Sequence, residues 1–242
     1  MAYGSQPRWT DRSAATQLDI DVGLRDYMLR IYNYMASALA LTGIVAYVFA
    51  GYLETHRALT HSPVMWLIIL APLGLVMVLS YGLNRLSLPA AQGLFWAYAA
   101  LMGLSMSTVF LVYTGASIAR VFFITAGTFA AMSLYGYTTR RDLSRFGSFL
   151  FMGLIGIVIA SLINIFLPAE TQRMMSFVIS VIGVLVFIGL TAYDTQSIKE
   201  MYYEADGYEI AGKKSIMGAL RLYLDFVNLF MMLVQLMGVR RD

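Results

Sequence analysis

The sequence contains no cysteine and few charged side chains. Only 13% of its 242 residues are Asp, Glu, Lys or Arg, about half of the ~25% that is usual in soluble domains. The absence of cysteine excludes disulfides, thiolate metal sites and a cysteine nucleophile. So few charges cannot cover a soluble surface, and 59% of the residues are hydrophobic. The composition therefore excludes a soluble globular protein.

Long apolar segments make up nearly all of the chain after Tyr27. A helix needs about 20 mostly apolar residues to cross the hydrocarbon core of a bilayer, and these segments lack the period-two alternation of barrel strands. The sequence therefore predicts an all-α integral membrane protein with one helical domain, residues 27–242, after a polar tail, residues 1–26. The seven predicted helices are 29–53, 64–83, 89–113, 119–138, 146–167, 174–197 and 216–239.

The basic residues lie in the connections between these segments rather than on one face, which argues against a nucleic-acid partner. If the N-terminus is cytoplasmic, its side of the bilayer holds twelve Lys and Arg residues and the other side holds five. Because Lys and Arg are enriched in cytoplasmic loops, we expect a cytoplasmic tail. The tail has no apolar core of a cleavable signal peptide, and the short connections favour a bacterial inner membrane.

The seventh segment is the most polar, and its polar side chains share one helical face. Arg221, Asp225, Asn228 and Gln235 are spaced by four, three and seven residues, which places them on one stripe. Such a stripe must face protein or water rather than lipid. The segment either crosses inside the bundle or enters it only part of the way, and the sequence leaves both arrangements open.

Two acidic residues, Asp194 and Asp225, lie well inside apolar segments. An ionisable group costs roughly 2.5 to 3.5 kcal/mol at that depth, which makes each a functional-site hypothesis; the alternative is that each anchors a helix by pairing with Arg221 or Arg85. If the two segments are antiparallel neighbours, the carboxylates resist double ionisation and share a proton. We expect a pH switch in which Arg85 competes for one aspartate, and in which the deprotonated pair contacts Ca²⁺ transiently. No cofactor is expected.

Small residues recur at positions that favour close helix packing. They are Ala36, Ala40 and Gly43 in the first segment and Gly153 and Gly156 in the fifth. Small side chains let helix backbones approach each other in membranes. We expect them to serve packing within the bundle rather than a dimer motif.

Two late motifs carry a resemblance to a known family. They are residues 191–196 (TAYDTQ) with Ile198 and Lys199, and residues 222–230 (LYLDFVNLF) with Leu236 and Gly238. These motifs resemble those of the transmembrane Bax inhibitor motif family, as do residues 146–150 (FGSFL) and 164–166 (NIF). The resemblance covers essentially everything after the tail. It implies a seven-helix bundle in which the polar last helix is enclosed by the other six.

The resemblance also implies a function. Members are associated with a pH-sensitive leak of calcium across membranes, with suppression of cell death, and in bacteria with restraint of a membrane-bound ATP-dependent protease. The family's paired aspartates correspond to Asp194 and Asp225, and its arginine at the end of the second helix corresponds to Arg85. Some relatives carry a glutamate in the second helix. This sequence has no acid in residues 64–83, so a role that needs that carboxylate is not expected.

Two function hypotheses follow. The first is a pH-sensitive cation leak, with Ca²⁺ as the permeant ion, Asp194 and Asp225 as the proton sensor and Arg85 as the competing partner. The second is a non-conducting regulatory protein whose tail binds a membrane-bound ATP-dependent protease or another stress-response partner. An intramembrane aspartyl protease is disfavoured, because Leu222-Tyr223-Leu224 rather than a Gly-rich stretch precedes Asp225, and we do not expect an enzyme. A proton-coupled transporter stays open, although no inverted repeat is visible.

Overall fold

The computed structural model describes residues 9–56, 59–60 and 62–241, with side chains from residue 22 onwards except that of Asn84. This part of the chain forms long helices and, as its only extended pairing, a single bridge between Tyr113 and Arg240. Each long helix is apolar and long enough to cross a bilayer, which confirms the predicted all-α membrane fold. The helices are α1 Trp9–Thr55, α2 Pro63–Gly82, α3 Leu88–Val112, α4 Gly115–Thr138, α5 Ser144–Asn164, α6 Ala169–Glu200 and α7 Tyr208–Met237.

Prolines mark the beginnings of three helices. Pro63 and Pro89 lie in the first turns of α2 and α3, and Pro168 directly precedes α6. The first turn tolerates proline because its N–H groups have no intrahelical partner. These boundaries therefore follow from local sequence.

Helix α1 extends through most of the predicted tail. Its 47 residues give a length of roughly 70 Å, about twice the ~30 Å of a hydrocarbon core, and its residues 9–21 (WTDRSAATQLDID) are mostly polar. Residues 9–21 therefore continue the helix beyond the membrane span, and the helix begins twenty residues before the predicted start at residue 29. Residues 1–8 of the predicted tail lie outside the described part of the chain.

Helix α7 is the central helix of the bundle. Of its most apolar window 67% is buried inside the protein, compared with 11% to 39% for the other six spans. It packs mainly against α1, α3, α4 and α6, while α2 and α5 complete the outer ring by packing on α3 and α6. The predicted enclosure of the polar last helix is confirmed, and four of the six surrounding helices supply its main contacts.

The helices alternate in direction. Where α5 meets α6, Gly147 lies against Tyr193 and Gly153 lies against Val186, so residue numbers run in opposite directions along the contact. Helices α6 and α7 are also antiparallel, because Ser180 hydrogen-bonds to Gln235 while Asp194 meets Asp225. We call the end of the bundle at which the α1 span begins the N-terminal end, and the opposite end, where α7 finishes, the C-terminal end.

The residues after α7 close the C-terminal end. The Thr114 N–H donates to the Val239 carbonyl at 2.9 Å, and the Arg241 N–H donates to the Val112 carbonyl at 2.9 Å. The Arg241 guanidinium forms an ion pair with Glu54 at the end of α1. This stretch therefore ties the α3–α4 connection to the first helix.

The predicted close packing of small residues holds at Gly153 of α5 but not at Gly156 or in α1. A Cβ atom on Gly153 would lie 2.9 Å from a methyl carbon of Val186, whereas one on Gly43 or Gly156 would meet nothing within 4 Å. Ala36 and Ala40 are exposed. The prediction was wrong for α1, because the face that carries these residues borders an open groove rather than another helix.

Candidate functional site

The two aspartates of the late motifs meet inside the bundle. Asp194 on α6 and Asp225 on α7 lie side chain to side chain at hydrogen-bonding distance. Asp225 is buried, with 5% of its surface exposed, and Asp194 is half-buried. The antiparallel contact between α6 and α7 places them opposite each other near the N-terminal end.

This geometry suits a pair that holds a proton. An ionised carboxylate only accepts hydrogen bonds, so two carboxyl groups bond to each other only if one is protonated. The second oxygen of Asp225, Oδ2, is buried and has no hydrogen-bond partner among the described residues. A negative charge on an oxygen without a donor is unfavourable in such surroundings. The arrangement is therefore better matched to one shared proton than to two charges.

Arg221 is the cation at the pair. It lies one turn before Asp225 on α7 and within electrostatic range of both carboxyl groups. The ion pairs among the described residues do not include it. Arg221 therefore supplies positive charge near the pair without a direct contact to either aspartate.

Arg85 lies away from the pair. It is the last residue of the 3-10 turn Leu83–Arg85 after α2, and its side chain is exposed. Helix α2 packs mainly on α3 in the outer ring, so α3 separates it from α7. The structure does not bring Arg85 to Asp194 or Asp225, and Arg221 takes the position that the sequence analysis gave to Arg85.

The remaining residues of the polar stripe on α7 bond within the protein. The Asn228 side chain donates to the Leu224 carbonyl of its own helix at 2.9 Å. The Gln235 Oε1 atom accepts from the Ser180 hydroxyl on α6 at 2.7 Å. The stripe therefore faces α6 at both the aspartate pair and Gln235, as its polarity predicts.

A chain of hydroxyl groups that the sequence analysis missed lies beside the pair. Tyr32 on α1 bonds to Ser133 on α4 at 2.6 Å, and Ser133 bonds to Thr195 on α6 at 3.0 Å. The Thr195 hydroxyl donates to the Thr191 carbonyl at 2.7 Å. Because the Thr195 proton is used there, Ser133 donates to Thr195 and Tyr32 donates to Ser133. The chain links three helices at the residue next to Asp194.

Gln196 and Lys199, from the same motif, hold the α4–α5 connection against α6. The buried Gln196 amide accepts from the Leu143 N–H and donates to the Arg141 carbonyl, both at 2.8 Å. Lys199 Nζ donates to the Tyr137 carbonyl near the end of α4 at 2.9 Å. The motif therefore supplies structural contacts as well as Asp194, and the motif itself was the only sequence signal for them.

The described residues contain no group of three or more His, Asp or Glu side chains that could hold a metal ion. Calcium usually takes about six to eight oxygen ligands. Two carboxylates supply at most about four oxygens. The donor set of Asp194 and Asp225 therefore suits brief contact with a passing cation rather than a resident one.

Comparisons with known proteins extend over nearly the whole chain. A family model described as inhibitor of apoptosis-promoting Bax1 matches residues 24–242. The chain is 51% identical over 222 residues to a protein of Rickettsia prowazekii (strain Madrid E), a match that covers 92% of this chain and 93% of that one. It is 49% identical over 222 residues to the inner membrane protein YbhL of Escherichia coli (strain K12), which covers 90% of this chain and 94% of YbhL.

Proposed function

Because the chain belongs to the family described as inhibitor of apoptosis-promoting Bax1, we propose that this membrane protein is a pH-sensitive leak for cations, Ca²⁺ among them. YbhL is an inner membrane protein by name, and we propose the same location and a cytoplasmic N-terminus here. The observation that carries the proposal is the Asp194–Asp225 pair, two carboxyl groups at hydrogen-bonding distance at a buried contact between two helices.

In the proposed mechanism the shared proton keeps α6 and α7 together. Loss of the proton leaves two facing negative charges, which repel each other in a site with little water. The helices then separate at this level, and the exposed carboxylate oxygens offer ligands to a cation. Arg221 limits the repulsion, since its charge acts on both aspartates. The leak should therefore increase as the pH rises.

The direct test is calcium influx into liposomes that contain the purified protein and an internal calcium dye. Influx is measured in a series of buffers from roughly pH 5 to pH 8. Wild-type influx should rise with pH. Asp194→Asn and Asp225→Asn each leave one ionisable group and no charge repulsion, so both should lose most of the rise. Wild-type influx no greater than that of empty liposomes, or unchanged pH profiles in both variants, would reject the mechanism.

Asp142 provides a matched control, since it is an aspartate in the α4–α5 connection and outside the spans. Hydrogen bonds from the Ser144 side chain and from its backbone N–H hold the pKa of the Asp142 carboxyl below its usual range, which is about 3.9. The stabilisation from these bonds is present above that range and is lost only as the pH falls through the lowered pKa. Asp142 therefore stays ionised throughout the assay, and Asp142→Asn should keep the wild-type pH profile.

The second candidate is a non-conducting regulator that binds a membrane-bound protease or another membrane complex. It is favoured by α1, which continues as a helix through the mostly polar residues 9–21 and so offers a surface outside the bilayer. Deletion of residues 2–21 should then abolish capture of the partner and leave ion flux unchanged. Retained capture would count against this candidate, and a loss of flux would assign the segment to conduction instead.

A further inference from the structure

A lateral groove lies between α1 and α4. It holds a cavity of about 750 Å³ toward the N-terminal end and one of about 440 Å³ toward the C-terminal end. The two cavities share Leu39, Phe122 and Phe226 in their linings, so they form one continuous groove. Both volumes fall within the ~300 to 1,000 Å³ that is common for small-molecule sites.

Short side chains create the groove. Ala36 and Ala40 on α1 and Ala126 and Ala130 on α4 line it, and Phe226 of α7 lies at its base. Among the hydrogen bonds of the described residues, the one between Tyr32 and Ser133 joins α1 to α4. The two helices are therefore held at a fixed separation near one end, without side chains that fill the space between them.

The groove is open to the surroundings of the bundle at the depth of the bilayer. Leu29 and Leu134, which line it, are 47% and 64% exposed. Apolar cavities stay dry, and an unfilled void loses the dispersion contacts of its walls. The apolar molecules that surround these two helices are lipids, so an acyl chain is the occupant that the walls favour.

The N-terminal rim of the groove carries a positive charge. Arg25 lines the larger cavity, is exposed, and takes no part in the ion pairs of the described residues. It lies next to Asp26 and four residues before Leu29, where the long apolar segment 29–53 begins, and arginine side chains near the ends of membrane helices extend to the interface where the lipid headgroups lie. A guanidinium binds phosphate through charge-assisted and often paired hydrogen bonds.

We propose that this groove binds one phospholipid of the surrounding membrane, with an acyl chain between α1 and α4 and the phosphate on Arg25. A transmembrane helix of a partner or of a second copy also suits small residues four positions apart. Such a helix offers no anion to Arg25, so the positive charge of Arg25 favours a phospholipid as the occupant. Because an acyl chain gains no hydrophobic free energy by leaving other lipid, the affinity comes from its dispersion contacts with the groove walls together with the headgroup contact at Arg25. The proposal does not depend on ion conduction.

The first test compares groove-filling with a neighbouring control. The intact protein in detergent is titrated with phosphatidylglycerol, and the bound lipid is counted by native mass spectrometry. Wild type should hold one lipid per chain. Ala130→Phe should weaken binding about tenfold or more, the equivalent of ~1.4 kcal/mol, while Ala131→Phe should bind like wild type, since Ala131 is exposed and does not line the groove. Ala36→Phe repeats the test from the α1 wall if Ala130→Phe fails to fold.

The second test examines the headgroup. Wild type should bind the anionic phosphatidylglycerol more tightly than the zwitterionic phosphatidylethanolamine. Arg25→Gln should weaken phosphatidylglycerol binding about tenfold and so remove the difference between the two lipids. Arg30→Gln is the matched control, because Arg30 lies at the same end of α1 but lines a separate cleft with Asn33 and Tyr34, and it should leave binding unchanged.

Three outcomes would overturn the proposal. The first is equal lipid retention by Ala130→Phe and Ala131→Phe, or by Arg25→Gln and Arg30→Gln. The second is displacement of the lipid by inorganic phosphate alone, which would indicate a free-anion site. The third is a change from oligomer to monomer in Ala130→Phe without a change in bound lipid, which would assign the groove to a helix.

Discussion

Thr42, a single residue of α1, joins three helices through one hydroxyl group. Its Oγ1 atom donates to the Ala99 carbonyl on α3 at 2.8 Å and lies 2.7 Å from the Tyr223 hydroxyl on α7. Because the threonine proton is used on the carbonyl, Tyr223 donates to Thr42. The Tyr223 ring also packs edge-on against Tyr98, with 5.7 Å between ring centroids. A buried side chain thereby fixes the central helix against two of its neighbours.

Replacement of the two partners should have unequal costs. Thr42→Val leaves the buried Tyr223 hydroxyl without an acceptor, which costs about 1 to 3 kcal/mol. Tyr223→Phe removes the donor while Thr42 keeps its bond to Ala99, so it should cost less, about 1 kcal/mol. Thermal unfolding in detergent micelles measures both. An equal or larger loss for Tyr223→Phe would contradict the assigned direction of donation. Thr138→Val, at an exposed position of α4, should change stability little.

At this scale the sequence reveals acids more readily than hydroxyl groups. Asp194 and Asp225 could be identified because acidic residues are conspicuous within apolar segments. That Arg221 rather than Arg85 is the cation near the pair could not be predicted, because it depends on which helices lie beside α6 and α7. The bond between Tyr32 and Ser133 joins positions 101 residues apart, and neither hydroxyl differs in sequence from many others.

At the scale of elements, Gly136 of α4 sets the distance between α4 and α6. A Cβ atom on Gly136 would overlap the Ala192 carbonyl oxygen of α6. Gly127, on the same helix, meets nothing within 4 Å of such an atom. The two helices therefore approach each other at Gly136, two residues before the level of Asp194 on α6.

The two glycines should respond in opposite ways to alanine. Gly136→Ala forces α4 and α6 apart and should destabilise the protein by about 1 to 3 kcal/mol, as overpacking does. Gly127→Ala gains helix propensity without a clash and should stabilise it by up to about 1 kcal/mol. Thermal unfolding of the pair in the same detergent decides the matter. If Gly136→Ala is as stable as wild type, the close approach of α4 and α6 is not a constraint on the fold.

Helix ends could be predicted where hydrophobicity and helix structure end together. The boundaries predicted for the second to sixth helices agree with α2 to α6 within about five residues. The starts of α1 and α7 were predicted too late, because both begin with polar turns that continue the helix outside the apolar run. The length of an apolar run indicates how much of a helix lies in the hydrocarbon core. The helix itself can continue past that core, because its backbone hydrogen bonds do not end at the lipid boundary.

The orientation of the whole molecule is a prediction that the absence of cysteine makes easy to test. The chain contains no native thiol, so one introduced cysteine reports one position. Ser144 begins α5 and Thr171 lies in the first turn of α6, so the two exposed positions lie at opposite ends of the bundle. With a cytoplasmic N-terminus, a membrane-impermeant maleimide should label Thr171→Cys in intact spheroplasts and Ser144→Cys only after lysis. The reverse pattern would invert the orientation.

The central place of α7 has a consequence for biosynthesis. The helix that the others surround follows all of them along the chain, so six spans enter the membrane before their common packing partner exists. The 37 positions from Glu200 to Met237 take roughly 2 to 7 seconds to translate. During that interval Thr42, Tyr98 and Asp194 lack their α7 partners. A chain that ends before α7 therefore lacks the helix on which α1, α3, α4 and α6 pack.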